Sequence, residues 1–288
     1  MSLDLQDSHN FPIVRMVPTG STFKPEPEPG LNADQFYAIN GHIFKDFRIG
    51  DDMMLSRKET VVITVGGNHI NVHRELLVGC HAFHVAFTHN MLENKNKEYI
   101  VQYELENETN SQFELQAHII LFLALYGATK LPEDQYNFRG SAGPILVRAV
   151  ALAEYRMAED YVNDRLNTMI TKHFNRMVDW KTTIPCMDNS LQLELHRGYL
   201  MEINDTFIAY KCSNIRDRRF PERAFGNLIA LHCPARAWEM FQSQVDEDLA
   251  RRVATAAMYM FGRLHISGEV FERTTFSNAD LSLFRFPQ

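Results

Sequence analysis

The sequence predicts an α+β fold, and three observations carry that prediction. Val61, Ile63 and Val65 alternate with Val62 and Thr64 in a β-branched strand pattern, followed by Gly66-Gly67-Asn68 and a return strand Ile70-Asn71-Val72. At His73-Arg74-Glu75 the spacing changes from two residues to helical, with Leu76, Leu77, Cys80, Phe83 and Phe87 on one apolar face. Most of the chain beyond Phe87 has helical spacing, so a small sheet is expected to lie under a cluster of helices.

Each further element has its own signal. Asn94-Lys95-Asn96-Lys97 reads as a polar turn, and Tyr99 to Leu105 as a half-buried strand. From Phe113 through Leu125 the chain is so apolar that this helix must lie near the centre of the core, with Gly127 as its stop. Gly140-Ser141-Ala142-Gly143 is a loop signal. Ile145–Ala158 and Val162–Phe174 then read as a helical pair. Trp180 to Pro185 breaks the pattern and marks a domain boundary. Beyond it Leu191–Tyr210, Glu222–His232 and Val245–Arg263 show helical spacing, punctuated by Pro221 and Pro234.

At the other end, Lys24-Pro25-Glu26-Pro27-Glu28-Pro29-Gly30 favours an extended, self-repelling segment with no face to bury. Phe36, Tyr37, Phe44 and Phe47 come next, and part of that stretch is expected to fold back on the domain. Three regions result: 1–58 as a largely disordered, proline-rich tail, 59–175 as the α+β domain, and 176–288 as a helical C-terminal region.

The 288 residues are 45% hydrophobic and 23% charged, an ordinary globular balance. A net charge of −7 argues against a nucleic-acid surface, which needs a concentrated basic face. Cys80, Cys186, Cys212 and Cys233 form no C-x-x-C pair and read as reduced thiols. The N-terminus carries acids, and no stretch approaches about 18 uninterrupted apolar residues. These features place the chain in the cytoplasm or nucleus, where the sequons at Asn107 and Asn204 would be silent.

Catalytic or metal chemistry finds little support. Five histidines fall between His69 and His89, and His81 and His84 with Cys80 nearby are the best case for zinc. No second pair of ligands stands at finger or ribbon spacing, so no metal or other cofactor is expected. Neither Gly-x-Ser-x-Gly nor a Cys-His-Asn order is present. The carboxylates Glu154, Glu159-Asp160 and Asp246-Glu247-Asp248 read as solvated helix ends.

Val72-His73-Arg74-x-x-Leu77, a small residue at Cys80, and then Phe83 and Phe87 resemble the first half of the BTB (POZ) domain, a protein-interaction module. That family usually has serine where this chain has Cys80. Ile100–Leu105 looks like its third strand, and Phe113 to Tyr126-Gly127 like the helix ending in its Leu-Tyr-x-Gly corner. Met157-Ala158-Glu159-Asp160-Tyr161 with Leu166 beyond it looks like its Leu-Ala-Asp-x-Tyr signature. The arrangement is most similar to the fungal single-BTB-domain group.

The resemblance implies a BTB/POZ fold over 59–175, a non-enzymatic role in protein binding, and no cofactor. It also implies a partner-binding stretch at Phe87, Met91 and Glu93, where many BTB adaptors engage a cullin scaffold of a ubiquitin ligase. The alternative is a self-associating scaffold or transcriptional cofactor without its own DNA-binding domain. A zinc-dependent enzyme is the remote alternative. Family self-association often uses a helix just ahead of the first strand; here Asp46–Glu59 carries Gly50, Asp51 and Asp52 and reads as weakly helical.

Overall fold

A tight hairpin begins the ordered architecture of the computed structural model, which describes residues 31–44, 58–88, 91–101, 108–131, 142–178, 189–213, 215 and 223–267. Strands β1 (Thr60–Val65) and β2 (Asn68–His73) pair antiparallel with Val65 opposite Asn68. The two-residue loop between them needs left-handed backbone at both positions, and Gly66 and Gly67 supply it with φ of 54° and 78°. Val61, Ile63 and Val65 face the core as their spacing predicts. The third strand, β3 (Glu98–Val101), runs parallel to β1, so the sheet order is β2-β1-β3. It begins with the expected residues, and 102–105 lie outside the described part.

The long helix expected from His73 onward is two elements. A 3-10 helix covers Arg74–Gly79, Cys80 takes an extended conformation bridged to Ala158, and α2 covers His81–Thr88. The break falls where the chain pairs with the segment after Tyr155: Glu159 N–H donates to Gly79 O at 2.9 Å, and a Cβ at Gly79 would lie 2.6 Å from Leu125 Cδ2 and closer still to the Tyr161 hydroxyl. The break also supplies partners for α2, whose leading N–H groups at His81 and Ala82 donate to the carbonyls of Met157 and Arg156, each at 3.2 Å. Asn94-Lys95-Asn96, read as a turn, closes a short helix α3 (Leu92–Asn96) that ends on Lys97 in the left-handed region.

Helix α4 (Glu108–Leu125) lies at the centre, with Ile119 through Leu125 buried in unbroken sequence. Gly127 ends it in the left-handed region: Ala128 N–H donates to Leu123 O and Gly127 N–H to Ala124 O. Helix α5 (Ala142–Tyr155) ends the same way, with Met157 at φ 53° in the glycine position. Gly143, expected in a loop, is in the first turn of α5. Helix α6 (Asp160–Val178) packs back on α4 and α5.

Beyond residue 188 the elements among the described residues are helices: α7 (Asn189–Cys212), α8 (Arg223–His232) and α10 (Glu247–Ser267) overlap the expected helical segments. Pro234, read as punctuation at a helix end, follows α8 by two residues and also caps α9 (Ala235–Phe241), a helix not expected from the sequence, where its missing N–H costs nothing. These helices share one hydrophobic core with the first part of the chain. Phe225 of α8 meets Phe174 of α6 edge-on at 5.7 Å and Phe207 of α7 at 5.6 Å. Trp180–Pro185 lies outside the described residues.

Residues 31–44, assigned from sequence to the tail region, form α1 (Ala33–Ile39) and a turn beyond it packed on the sheet. Asn32 caps α1 through its Oδ1, and Phe36, Tyr37 and Phe44 are buried around Tyr126 of the α4 terminus. Asn40 is fully buried. Its Oδ1 accepts the Asn71 N–H at 2.7 Å while its Nδ2 donates to Asn71 O at 2.8 Å and to Phe36 O at 2.9 Å. The side-chain amide thus pairs with β2 as a neighbouring strand would. The proline–glutamate run and 45–57 lie outside the described residues.

Candidate partner-docking surface

Arg74 organises the surface where the sequence places partner binding. Its guanidinium donates to the Phe87 carbonyl at the end of α2 and to Asn94 Oδ1 on α3 at 2.9 Å, and it pairs with Glu59 at 3.2 Å. One side chain therefore ties the start of β1, the C-terminus of α2 and the short α3 together. Glu59 is also held by Lys97 at 2.9 Å, and these two cations pull its carboxyl below the usual carboxylate range.

The three residues expected to bind a partner have different fates. Phe87 is buried, 1% exposed, with its ring 6.4 Å from that of Tyr99, so it supports the surface from beneath and cannot touch a partner. Met91 is 46% exposed at the start of α3, and Glu93 sits half-buried in its first turn. Leu92, not expected from sequence, is 71% exposed, and Ile100 on β3 is 60% exposed. Leu92 had a signal: it stands between two residues of the expected site. Ile100 had one too, as an apolar residue on the alternate face of a half-buried strand.

Below this surface lies an aromatic and cationic stack. Phe83 meets Tyr99 edge-on at 5.3 Å, and the Arg156 guanidinium sits 4.9 Å from the Phe83 centroid while donating to the Tyr99 hydroxyl at 2.8 Å. Because the Arg156 carbonyl also caps α2, the stack and the cap fix α2 together.

Of the histidines between His69 and His89, His73 and His69 are occupied separately, and His81 is exposed. His73 is buried, its Nδ1 2.7 Å from the Tyr126 hydroxyl, which also accepts the His73 N–H; burial holds its imidazole below the usual range. His69 Nδ1 bonds Thr64 Oγ1 at 2.9 Å beside the hairpin. Cys80 faces the core, and burial pushes its thiol up to about 12. His89 lies outside the described residues. Among the described residues no three His, Cys, Asp or Glu side chains converge as a metal site would require.

Of the carboxylates noted in the sequence, Asp246 and Asp248 serve a helix start, whereas Glu154, read as near a helix N-terminus, lies in the last turn of α5. Asp246 Oδ1 accepts the N–H groups of Asp248 and Leu249 at the start of α10, and Lys211 pairs with Asp248 at 2.6 Å. A cavity of about 930 Å³ opens between α4, α5 and α7, lined by Phe113, Val147, Ala151, Tyr155 and Met157. Its arginine, Arg148, is paired with Glu114 at 2.7 Å. Asn204 of the second sequon is buried, its Oδ1 accepting the Asp246 N–H, which leaves no room for a glycan in the folded chain.

Among the described residues no helix is long and apolar enough to cross a membrane. Comparison with protein-family models, with curated proteins and with solved structures finds no match for this chain.

Proposed function

We propose that the chain is a non-enzymatic protein–protein interaction module of the BTB type, and that its partner is a cullin-type scaffold docking on Met91, Leu92 and Glu93. The observation that carries this reading is the pairing of exposed apolar side chains with a rigid mount. Met91 and Leu92 stand out on α3 while Arg74 fastens that helix to α2 and β1. A flexible methionine beside a leucine can fill a partner's groove, and the carboxylate of Glu93 can orient the approach. The small sheet under a helical cluster, with the quoted motifs falling in order on the hairpin, α4 and the α5–α6 corner, is in keeping with it.

The test is direct binding of the full chain to a cullin N-terminal region. Met91→Ala with Glu93→Ala should weaken it at least tenfold, and Leu92→Ala should add to the loss. All three side chains are wholly or partly exposed, so the melting temperature should move little. Binding that survives the triple change would remove this reading.

A further inference from the structure

The two edges of the sheet are finished differently. In the β1–β2 register Val61, Ile63 and Val65 bond toward β2, which leaves the backbone groups of His69, Asn71 and His73 pointing outward. Each of these positions is met. His42 Nε2 bonds His69 O at 2.7 Å, the Asn40 amide takes both groups of Asn71, and the Tyr126 hydroxyl accepts the His73 N–H at 2.9 Å. The β2 edge is thus met by a side chain at every outward-facing residue.

On the other side, Val62 N–H donates to Lys97 O, and the parallel register then turns the Tyr99 backbone groups and the Val101 N–H toward β1. The N–H and C=O of Ile100 point away from the sheet, as do those of Glu98. Neither residue's backbone has a partner on that side among the described residues. Exposed strand edges are usually guarded by charge, proline or a bulge. Here the two neighbouring charges are tied inward. Lys97 reaches back to Glu59, and Glu98 Oε1 accepts the Thr64 hydroxyl at 2.8 Å. What remains on the edge is the exposed side chain of Ile100.

We infer that β3 pairs with β3 of a second copy of this chain, antiparallel about a two-fold axis through Ile100. That geometry is self-complementary. Each Ile100 N–H donates to the other copy's Ile100 carbonyl, and the two isoleucine side chains meet across the axis. With so short a strand, the contact belongs among small, transient interfaces burying less than about 1,200 Å². It uses the backbone edge of β3 and not the side chains of Met91 and Glu93, and it does not rest on a cullin binding there.

Sedimentation of the full chain from micromolar to about 1 mM is expected to show a reversible monomer–dimer equilibrium. Site-resolved amide exchange should show residue 100 gaining protection with concentration while its neighbours 99 and 101 stay constant, an alternation that side-chain packing alone does not produce. Ile100→Pro removes only an outward N–H, which an edge strand tolerates, and should weaken association at least tenfold. Ile100→Lys keeps the N–H, sets like charges face to face and should do the same; it serves if the proline variant folds poorly. Met91→Ala with Glu93→Ala should leave the equilibrium unchanged. A chain monomeric throughout the range, or a dimer indifferent to both Ile100 variants, would overturn the inference. So would a monomer that gains the same protection only from another protein's extended peptide.

Discussion

Replacing Asn40 by alanine tests how the N-terminal segment is held. The side chain is fully buried and makes three hydrogen bonds, two to the Asn71 backbone and one to the Phe36 carbonyl. Removing it leaves an N–H and two carbonyls without protein partners, each costing about 1–3 kcal/mol if water cannot reach it. Asn71 is only half-buried, so water recovers part of this, and a total of about 3 kcal/mol is expected. Asn40→Asp sharpens the test. It keeps the acceptor for Asn71 N–H but sets a carboxylate against the Phe36 and Asn71 carbonyls, so it should be less stable than the alanine variant at pH 7 and recover as the pH falls and the carboxyl is protonated. Urea unfolding measures both through a shift of midpoint at constant slope. An alanine variant within about 0.5 kcal/mol of wild type would mean that Asn40 does not stand in for a strand, and the sealed edge would lose its main support.

Burial holds His118 on α4 down to about pH 4, with its Nδ1 2.8 Å from the Glu114 carbonyl. Since the unfolded chain titrates near 6.5, it binds more protons between those values, and stability falls as pH drops from about 6.5 through 4. His118→Leu should remove that loss, so wild type should forfeit roughly 3 kcal/mol relative to the variant between pH 7 and 4; parallel stability curves would refute the assignment. Gly143 stands where α5 crosses α7: a Cβ there would collide with the Thr206 hydroxyl and lie 3.1 Å from Glu202 Oε1. Gly143→Ala should cost about 1–3 kcal/mol, and adding Thr206→Ala should recover part of it, which a double-mutant cycle measures directly.

Legibility in the sequence tracked how local the cause was. The hairpin was readable because a two-residue loop with positive φ at both positions demands residues such as Gly66-Gly67, and the α4 stop because Gly127 suits a left-handed cap. The break at Cys80 was not, because the backbone there pairs with Met157, Ala158 and Glu159, remote in sequence. Met157 hides a helix end from any rule that looks for glycine. Short α3 has no apolar period to detect, and α1 could be suspected only from its aromatics. At the candidate surface the pattern singled out Phe87, Met91 and Glu93 but could not tell a floor from a face. Phe87 points in because Tyr99 covers it, and Tyr99 comes from a strand the sequence does not tie to α2.

Whether the C-terminal helices recognise a partner or complete the core is decided in part by what their inner faces touch. Leu200, Ile203 and Phe207 of α7 are fully buried, and Glu202 between them accepts the Gly143 N–H at 2.6 Å and lies 3.1 Å from His173 Nε2. A carboxylate from α7 therefore serves the N-terminus of α5 and bonds α6 at the same point, where a helix start favours negative charge. Without α7 that N–H would lose its partner, and the packed faces of α5 and α6 would meet water. These inner faces are committed to the fold. Any recognition by this region must use outward residues such as Met240 and Met258, which stand exposed on α9 and α10.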